Sequence, residues 1–284
     1  MSIQRISALI LISFGSSLLL APSAQAASFT TNISQSTNSK ANIWLKSITQ
    51  QDKEGKNQEF SNFSFVNKVT GLENPEYTGG NTGAASTDRG DRASTPNNIP
   101  VAEAPKPEEI VAYLSNNNLN NIIDTEDQGA FKMNLWFDTT ISQDSSGLDN
   151  LFFWERGMNS DLGIQAIDEN GNLLGNFLKL TRTTQQSAGY KIDTKEIGGA
   201  QEVGSWGVSL KQLGLTDGQA TTGIKGIQVL AEGGKNGFNG PDFKVIARKA
   251  DIPQAVPEPS TIVALGALAV TTLKVLKKKL LVQI

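Results

Sequence analysis

The sequence predicts an all-β fold, namely a β-sandwich of jelly-roll-like topology with one short helix. From residue 119 onward, short apolar segments recur, and turns rich in glycine, asparagine and aspartate separate them. Several segments alternate apolar and polar residues, which is typical of strands with one buried face. The sequence shows no alternation of strands and helices of the kind that forms a parallel sheet. About ten short strands at this spacing favour a sandwich over an α/β fold.

The N-terminal half is predicted to contain strands, a long loop and the one clear helix. Phe63, Phe65 and Val69 are expected on one buried face. Residues 71–105 hold few apolar side chains and are predicted to form a mobile loop. A helix is predicted to start at Pro105–Glu109, where proline and two acids suit a helix N-terminus. The predicted strands of this half are Ser28–Ile33, Asn42–Thr49 and Glu59–Thr70.

The C-terminal half is predicted to be almost wholly β. Along Phe131–Phe137, the apolar side chains alternate with polar ones, and Trp136 falls on the polar side. Asp168–Gly171 predicts a hairpin turn, because Asn-Gly supplies positive φ values. The other predicted strands are Leu148–Trp154, Leu162–Ile167, Leu173–Leu180, Tyr190–Ile197, Glu202–Leu210, Thr222–Leu230 and Asp242–Ala247.

Composition excludes several classes of site. The 284 residues include no cysteine and no histidine, which excludes thiol nucleophiles, disulfides and Ser–His–acid triads. No cofactor is expected. The central domain, residues 27–252, is more acidic than the whole chain, because four lysines belong to the C-terminal segment. An acidic domain without a basic patch is not expected to bind nucleic acid.

The N-terminus has the pattern of a secretory signal peptide. Arg5 precedes an apolar run over residues 6–20, and Ala24-Gln25-Ala26 forms a small-x-small cleavage site. Cleavage is expected between Ala26 and Ala27, which makes residues 1–26 the signal peptide. The chain is therefore expected to be exported by the Sec machinery.

Residues 253–284 combine a proline-flanked acid, an apolar run and a basic cluster. Pro257, Glu258 and Pro259 precede an apolar run over residues 260–276. As a helix, this run is about 25 Å long, against a hydrocarbon core of about 30 Å. The basic cluster is expected to hold the end on the cytoplasmic side of the membrane. Its lysines are Lys274, Lys277, Lys278 and Lys279.

These C-terminal residues resemble a PEP-CTERM sorting signal, a segment also described as an ice-binding protein C-terminal domain. The resemblance implies that an exosortase recognises the segment in the membrane and cuts near Pro257–Pro259. Membrane anchoring would then be transient, with the mature protein at the cell surface or in the extracellular matrix. The resemblance implies a destination and no activity.

The densest group of aromatic and polar residues follows Phe152 and Phe153. Its members are Trp154, Glu155, Arg156, Asn159 and Asp161. An exposed ring beside polar groups would suit a sugar, but the sequence favours a core strand with a solvated end. The segment also resembles the body of cyanobacterial exosortase-dependent surface proteins, which implies surface location and no catalytic role.

Two further patterns have simpler explanations. Asp168, Asn170 and Asn172 have the spacing of calcium ligands, but a hairpin turn explains them better. Glu155 with Glu169 would be a conceivable glycosidase pair, although acids at turns are usually only solvated. A second such pair is Asp149 with Asp161.

The hypothesis favoured by the sequence is a non-enzymatic surface or extracellular-matrix protein. The first alternative is a module that binds extracellular polysaccharide through an exposed ring at Trp136 or Trp154. The second, less favoured, is a carboxylate-based glycosidase.

Overall fold

A computed structural model describes residues 29–34, 38–76, 84–195 and 198–249. The signal peptide, the sorting signal and the membrane helix lie outside these residues and stay predictions. The described chain is mostly antiparallel β-sheet, which confirms the all-β prediction. The jelly-roll-like topology stays a prediction. Within the described ranges, no helix combines the length and apolarity needed to cross a membrane.

The described residues form fifteen strands and two α-helices. In chain order the strands are β1 (Phe29–Ile33), β2 (Leu45–Gln51), β3 (Asn57–Phe60), β4 (Phe63–Ser64), β5 (Val66–Glu73), β6 (Ser86–Arg89), β7 (Asn121–Asp124), β8 (Ala130–Ile141), β9 (Leu151–Arg156), β10 (Leu162–Ile167), β11 (Leu173–Leu180), β12 (Gln186–Ile192), β13 (Gln201–Val208), β14 (Ile224–Glu232) and β15 (Asp242–Arg248). The helices are α1 (Pro107–Leu114) and α2 (Asp217–Thr222).

The strands form three antiparallel sheets. The five-stranded sheet has the order β11-β10-β14-β8-β5. The seven-stranded sheet has the order β12-β13-β9-β15-β7-β6, and β4 pairs with β15. The third sheet has the order β1-β2-β3. Apolar side chains of the seven-stranded sheet enter two separate clusters, one shared with each of the other sheets.

Strand β9 shows why the seven-stranded sheet lies between the other two. Leu151 and Phe153 join the cluster shared with the five-stranded sheet, whereas Phe152 and Trp154 join the cluster shared with the three-stranded sheet. All six residues of β9 are buried. A strand covered on both faces has a near-continuous apolar sequence, which explains the dense run that begins at Leu148.

Strand β8 has one buried and one open face. Phe131, Met133, Leu135 and Phe137 are buried, whereas Trp136 and the other intervening side chains are partly exposed. The predicted alternation of this strand is therefore confirmed. The exposed side of the five-stranded sheet is called the outer face below.

The prediction of a mobile loop over residues 71–105 is wrong for much of the range that the structure describes, residues 71–76 and 84–105. Strand β6 lies within it and pairs with β7. Ser86 and Thr87 are fully buried. The amide side chain of Asn74 donates to the Ala85 carbonyl and accepts from its N–H. Hydrogen bonds of buried polar groups order the segment together with small buried side chains such as Ala84 and Ala85, so a count of large apolar residues missed it.

Other differences concern boundaries and one helix. The single strand predicted over Glu59–Thr70 is three short strands, because residues 61–62 carry the chain from one sheet to another. The predicted common face of Phe63, Phe65 and Val69 is wrong, because Phe63 and the partly buried Phe65 pack in the cluster of the three-stranded sheet, whereas Val69 belongs with Val66 to the other cluster. Helix α2 was not predicted, although Thr216 and Gln219 form a capping box at its start.

Candidate functional site

The outer face presents three rows of side chains, defined by the pairing of its five strands. One row contains the indole of Trp136 and is called the tryptophan row. It consists of Lys68, Trp136, Gly226, Ile167 and Leu173. Beside it runs the amide row, which consists of Thr70, Asn134, Gln228 and Gln165. The third row consists of Glu73, Lys132, Leu230, Gly163 and Lys179.

Trp136 is held in place by its neighbours on β5. Its Nε1 donates a hydrogen bond of 2.8 Å to Thr70 Oγ1. The Lys68 ammonium lies 5.4 Å from the centre of the indole ring. Gly226 is its partner on β14 and has no side chain to cover the ring. The indole is therefore fixed at one edge and partly open to solvent.

The amide row supplies hydrogen-bonding groups next to the indole. Gln228 Nε2 donates to Asn134 Oδ1 at 3.0 Å, and Gln165 Nε2 donates to the Gly175 carbonyl at 3.2 Å. The first bond does not use Asn134 Nδ2 or Gln228 Oε1. The amide row therefore carries both a donor and an acceptor beside the tryptophan row.

The outer face is apolar at its β11 edge. Leu173 is 50% exposed and Phe177 is 48% exposed, which makes them two of the four most exposed large apolar side chains described. A Cβ atom at Gly163 would lie 2.8 Å from ring carbons of Phe177. Glycine at this position therefore lets the phenyl ring lie against the sheet.

Together these residues form an extended surface of aromatic and polar groups. The tryptophan row is not continuously open, because Gly226 and Ile167, which lie between Trp136 and Leu173, are buried. An aromatic ring suits the apolar face of a sugar ring, and side-chain amides suit its hydroxyl groups. A partly open ring beside side-chain amides on a sheet face suits one sugar unit of a longer chain.

Trp154, the other sequence-based candidate for an exposed ring, is in the core. Only 1% of its surface is accessible. Phe29 of β1 packs edge-on against it, with ring centres 5.7 Å apart, and Thr31 accepts a 3.0 Å hydrogen bond from its Nε1. The interpretation of this ring as a sugar platform is therefore wrong, because the three-stranded sheet covers it.

Arg156 is the centre of a buried ion network. Its Nη2 lies 2.6 Å from Asp124 Oδ1 and 2.8 Å from Asp242 Oδ2, and its Nη1 donates to Thr194 Oγ1. Burial alone would lower the pKa of Arg156, but Asp242 and Asp124 raise it. Burial and the neighbouring Asp124 raise the pKa of Asp242 well above its usual value. This network joins β7, β9 and β15 and is not available to a ligand.

Glu155 points to the opposite side of β9 and is fully buried. Its Oε2 accepts a 2.9 Å hydrogen bond from Gln185 Nε2. Burial raises the pKa of Glu155 to about 8, although the bond from Gln185 lowers it. Glu155 Oε1 and Gln185 Oε1 are both buried without a described hydrogen-bond partner.

The other two residues of this group have different surroundings. Asn159 is exposed in the turn after β9. Asp161 is 5% exposed, and its Oδ2 lies 2.8 Å from Lys179 Nζ. Its Oδ1 accepts a 2.8 Å hydrogen bond from the Arg182 N–H. The structure therefore separates the five residues that the sequence places together.

The carboxylates proposed as glycosidase pairs have unrelated environments. Glu155 is buried in β9, whereas Glu169 is exposed in the hairpin turn between β10 and β11. Asp149 is buried and accepts a 2.5 Å bond from Gln50 Nε2, and burial raises its pKa to about 6. Asp161 is engaged by Lys179 and Arg182, as described above.

The calcium pattern belongs to a hairpin turn. Asp168 Oδ1 accepts from the N–H groups of Asn170 and Asn172, each at 2.8 Å, and Asp168 Oδ2 accepts from Asn172 Nδ2. The hydrogen bonds from Asn172 lower the pKa of Asp168. Across the described ranges, acidic side chains form no group of three or more that could hold a metal ion.

Sequence reasoning placed Lys132, Asn134 and Trp136 on one strand face but missed the residues of the other four strands of the outer face. Alternation along β8 identifies Asn134 as the neighbour of Trp136 on the same face. Lys68 and Gln228 join them only through strand pairing, which a single sequence does not reveal. No protein-family profile, curated protein or solved structure matches this chain.

Proposed function

We propose that this chain is an exported, non-enzymatic surface or extracellular-matrix protein that holds extracellular polysaccharide on its outer face. The observation that carries the proposal is the partly open indole of Trp136, positioned beside the amide row. Both the terminal sequence patterns and a β-sandwich of jelly-roll-like type agree with this function. The exosortase and the Sec machinery are its partners during export.

The chemistry of binding follows from the geometry of the two rows. A sugar ring stacks its C–H face on Trp136 and excludes water from the indole. Hydroxyl groups at the edge of that sugar then reach Asn134 and Gln228, whose amides offer a donor and an acceptor. Gly226 and Ile167, which separate Trp136 from Leu173 in the tryptophan row, are buried, so the contact is centred on Trp136 and the amide row. No bond is made or broken, so the role is retention of the polymer.

The non-enzymatic part of the proposal is supported by the environments of the carboxylates. A retaining glycosidase needs two carboxyl groups about 5 Å apart beside the scissile bond, and an inverting one needs a separation of about 6.5–9.5 Å. Glu155, Asp149 and Asp161 are each buried and hydrogen-bonded to neighbouring side chains or backbone. A glycosidase would release sugar from a glycan panel, and Glu155→Gln would abolish that release.

The test of the proposed function is a glycan array probed with the purified full chain and two variants. Trp136→Ala should weaken binding at least about ten-fold, equivalent to about 1.4 kcal/mol. Trp44→Ala is the matched control, because Trp44 is 42% exposed but lies next to β2 of the three-stranded sheet. Wild-type binding to no glycan, or equal binding by both variants, would refute the assignment of the outer face.

Sorting by exosortase is tested separately. Mass spectrometry of the exported protein should find a C-terminus near Pro257–Pro259. If most molecules retain Lys277–Lys279, the protein is permanently anchored by its tail and the processing proposal fails.

A further inference from the structure

We infer that the outer face selects acidic sugar residues, because the tryptophan row places an unpaired lysine beside the stacking ring. This inference rests on the proposed function and specifies its ligand class. The residue is Lys68, which pairs directly with Trp136 across β5 and β8. The sugar carboxylate would accept hydrogen bonds from the Lys68 ammonium while the sugar ring stacks on the indole.

Lys68 differs from the other lysines of the outer face in its ion pairing. Lys132 Nζ lies 2.7 Å from Glu73 Oε1, and Lys179 Nζ lies 2.8 Å from Asp161 Oδ2. No carboxylate of the described residues lies within ion-pair distance of Lys68 Nζ. Lys68 is also exposed. It is therefore a cation of the outer face whose charge no described acid neutralises.

The position of Lys68 over the indole favours an acidic ligand over a neutral one. The ammonium lies 5.4 Å from the ring centre and shields part of the ring. A neutral sugar that stacks on Trp136 must displace this ammonium and lose the cation–π contact. An acidic sugar replaces that contact with a charge-assisted hydrogen bond to the same ammonium. Selectivity for acidic sugars thus arises because the Lys68 ammonium exchanges its contact with the indole for a hydrogen bond to the sugar carboxylate.

The anion is inferred to belong to a sugar rather than to a nucleic acid. One unpaired lysine is too little for a phosphate backbone, which proteins bind with several basic residues. The neighbouring amides also suit hydroxyl groups, of which a uronic acid residue has several. Charge complementarity at Lys68, together with the amide row, therefore fits an acidic polysaccharide.

The inference is tested with two hexasaccharides, β-1,4-linked mannuronate and β-1,4-linked mannose. They differ only in a carboxylate or a hydroxymethyl group on each ring. Isothermal titration of the full chain at low salt should show about five-fold tighter binding of the acidic hexasaccharide, the size expected of one exposed ion pair. At about 1 M salt, where the Debye length is about 3 Å, this ratio should approach one.

Variants assign the selectivity to one residue. Lys68→Gln should bind both hexasaccharides equally while retaining at least the wild-type affinity for the neutral one. Lys132→Gln is the matched control, because Lys132 shares the outer face but is paired with Glu73. It should keep the wild-type ratio.

The outcomes separate this inference from the proposed function. Equal wild-type binding of the two hexasaccharides, or a ratio that survives Lys68→Gln, overturns the inference and leaves polysaccharide binding intact. If wild type binds neither hexasaccharide but binds neutral glycans on the array through Trp136, the inference also fails alone. Loss of all glycan binding refutes both.

Discussion

Replacement of Glu155 by glutamine should change how the stability of the protein depends on pH. Glu155 is fully buried, and its pKa is raised to about 8. In the unfolded chain the pKa of a glutamate is about 4.3. The folded protein thus holds a proton on Glu155 over a range in which the unfolded chain has released it.

The sign follows from proton linkage. Between about pH 4.3 and pH 8 the native state binds one more proton at this site than the unfolded state, so the free energy of unfolding falls as pH rises. One pKa unit corresponds to about 1.36 kcal/mol, so the separation of nearly four units gives a loss of about 4 to 5 kcal/mol. The loss is complete above the folded pKa, where the native state holds a buried, charged carboxylate.

Glu155→Gln removes this titration and keeps the shape of the side chain. Its amide oxygen can accept from Gln185 Nε2 at every pH. The variant should match wild type in acid and exceed its unfolding free energy by several kcal/mol above pH 8. The assay is urea denaturation followed by tryptophan fluorescence at a series of pH values. Glu169→Gln, which removes one exposed carboxylate, controls for the change in net charge.

Parallel curves for wild type and Glu155→Gln would refute this reasoning. A constant difference between them would mean that the pKa of Glu155 is the same in the native and the unfolded state. A lower unfolding free energy for Glu155→Gln than for wild type at high pH would also refute this reasoning.

Three further predictions concern other parts of the molecule. Arg156→Met should lower the unfolding free energy by about 3–5 kcal/mol, because it leaves two aspartates buried without their cation, and urea titration measures this. Gly175→Ala should destabilise β11 by about 1–3 kcal/mol or more, since Gly175 has φ +61 and the new Cβ would lie 2.0 Å from the Leu213 carbonyl oxygen. Asn74→Ala should speed amide hydrogen exchange at Ala85, because the N–H of Ala85 loses its acceptor.

Much of the fold could be predicted where one face of a strand is buried. The boundaries of β10 and β11 agree with the prediction, because apolar residues end at a turn with asparagine and glycine. Strand β6 could not be predicted in this way. Its buried residues Ser86 and Thr87 are polar, and the pairing with β7 satisfies their backbone hydrogen bonds.

The candidate site could be predicted only in part, because it depends on pairing between distant strands. Period-two alternation in β8 was enough to place Trp136 on an open face. The same reasoning could not exclude Trp154, whose strand is covered on its second face by β1 and β2. Lys68 lies far from Trp136 in sequence and reaches it only through the register of β5 and β8.

The most direct test of polysaccharide binding on the outer face is the response of the tryptophan indole N–H signals in an NMR titration. The chain has four tryptophans, of which Trp154 and Trp206 are each 1% exposed and serve as internal references. On addition of a glycan that binds the protein on the array, the chemical shift of the Trp136 signal should change until binding saturates, while that of the Trp44 signal stays constant. A saturating shift at Trp44, with Trp136 unchanged, would contradict the account.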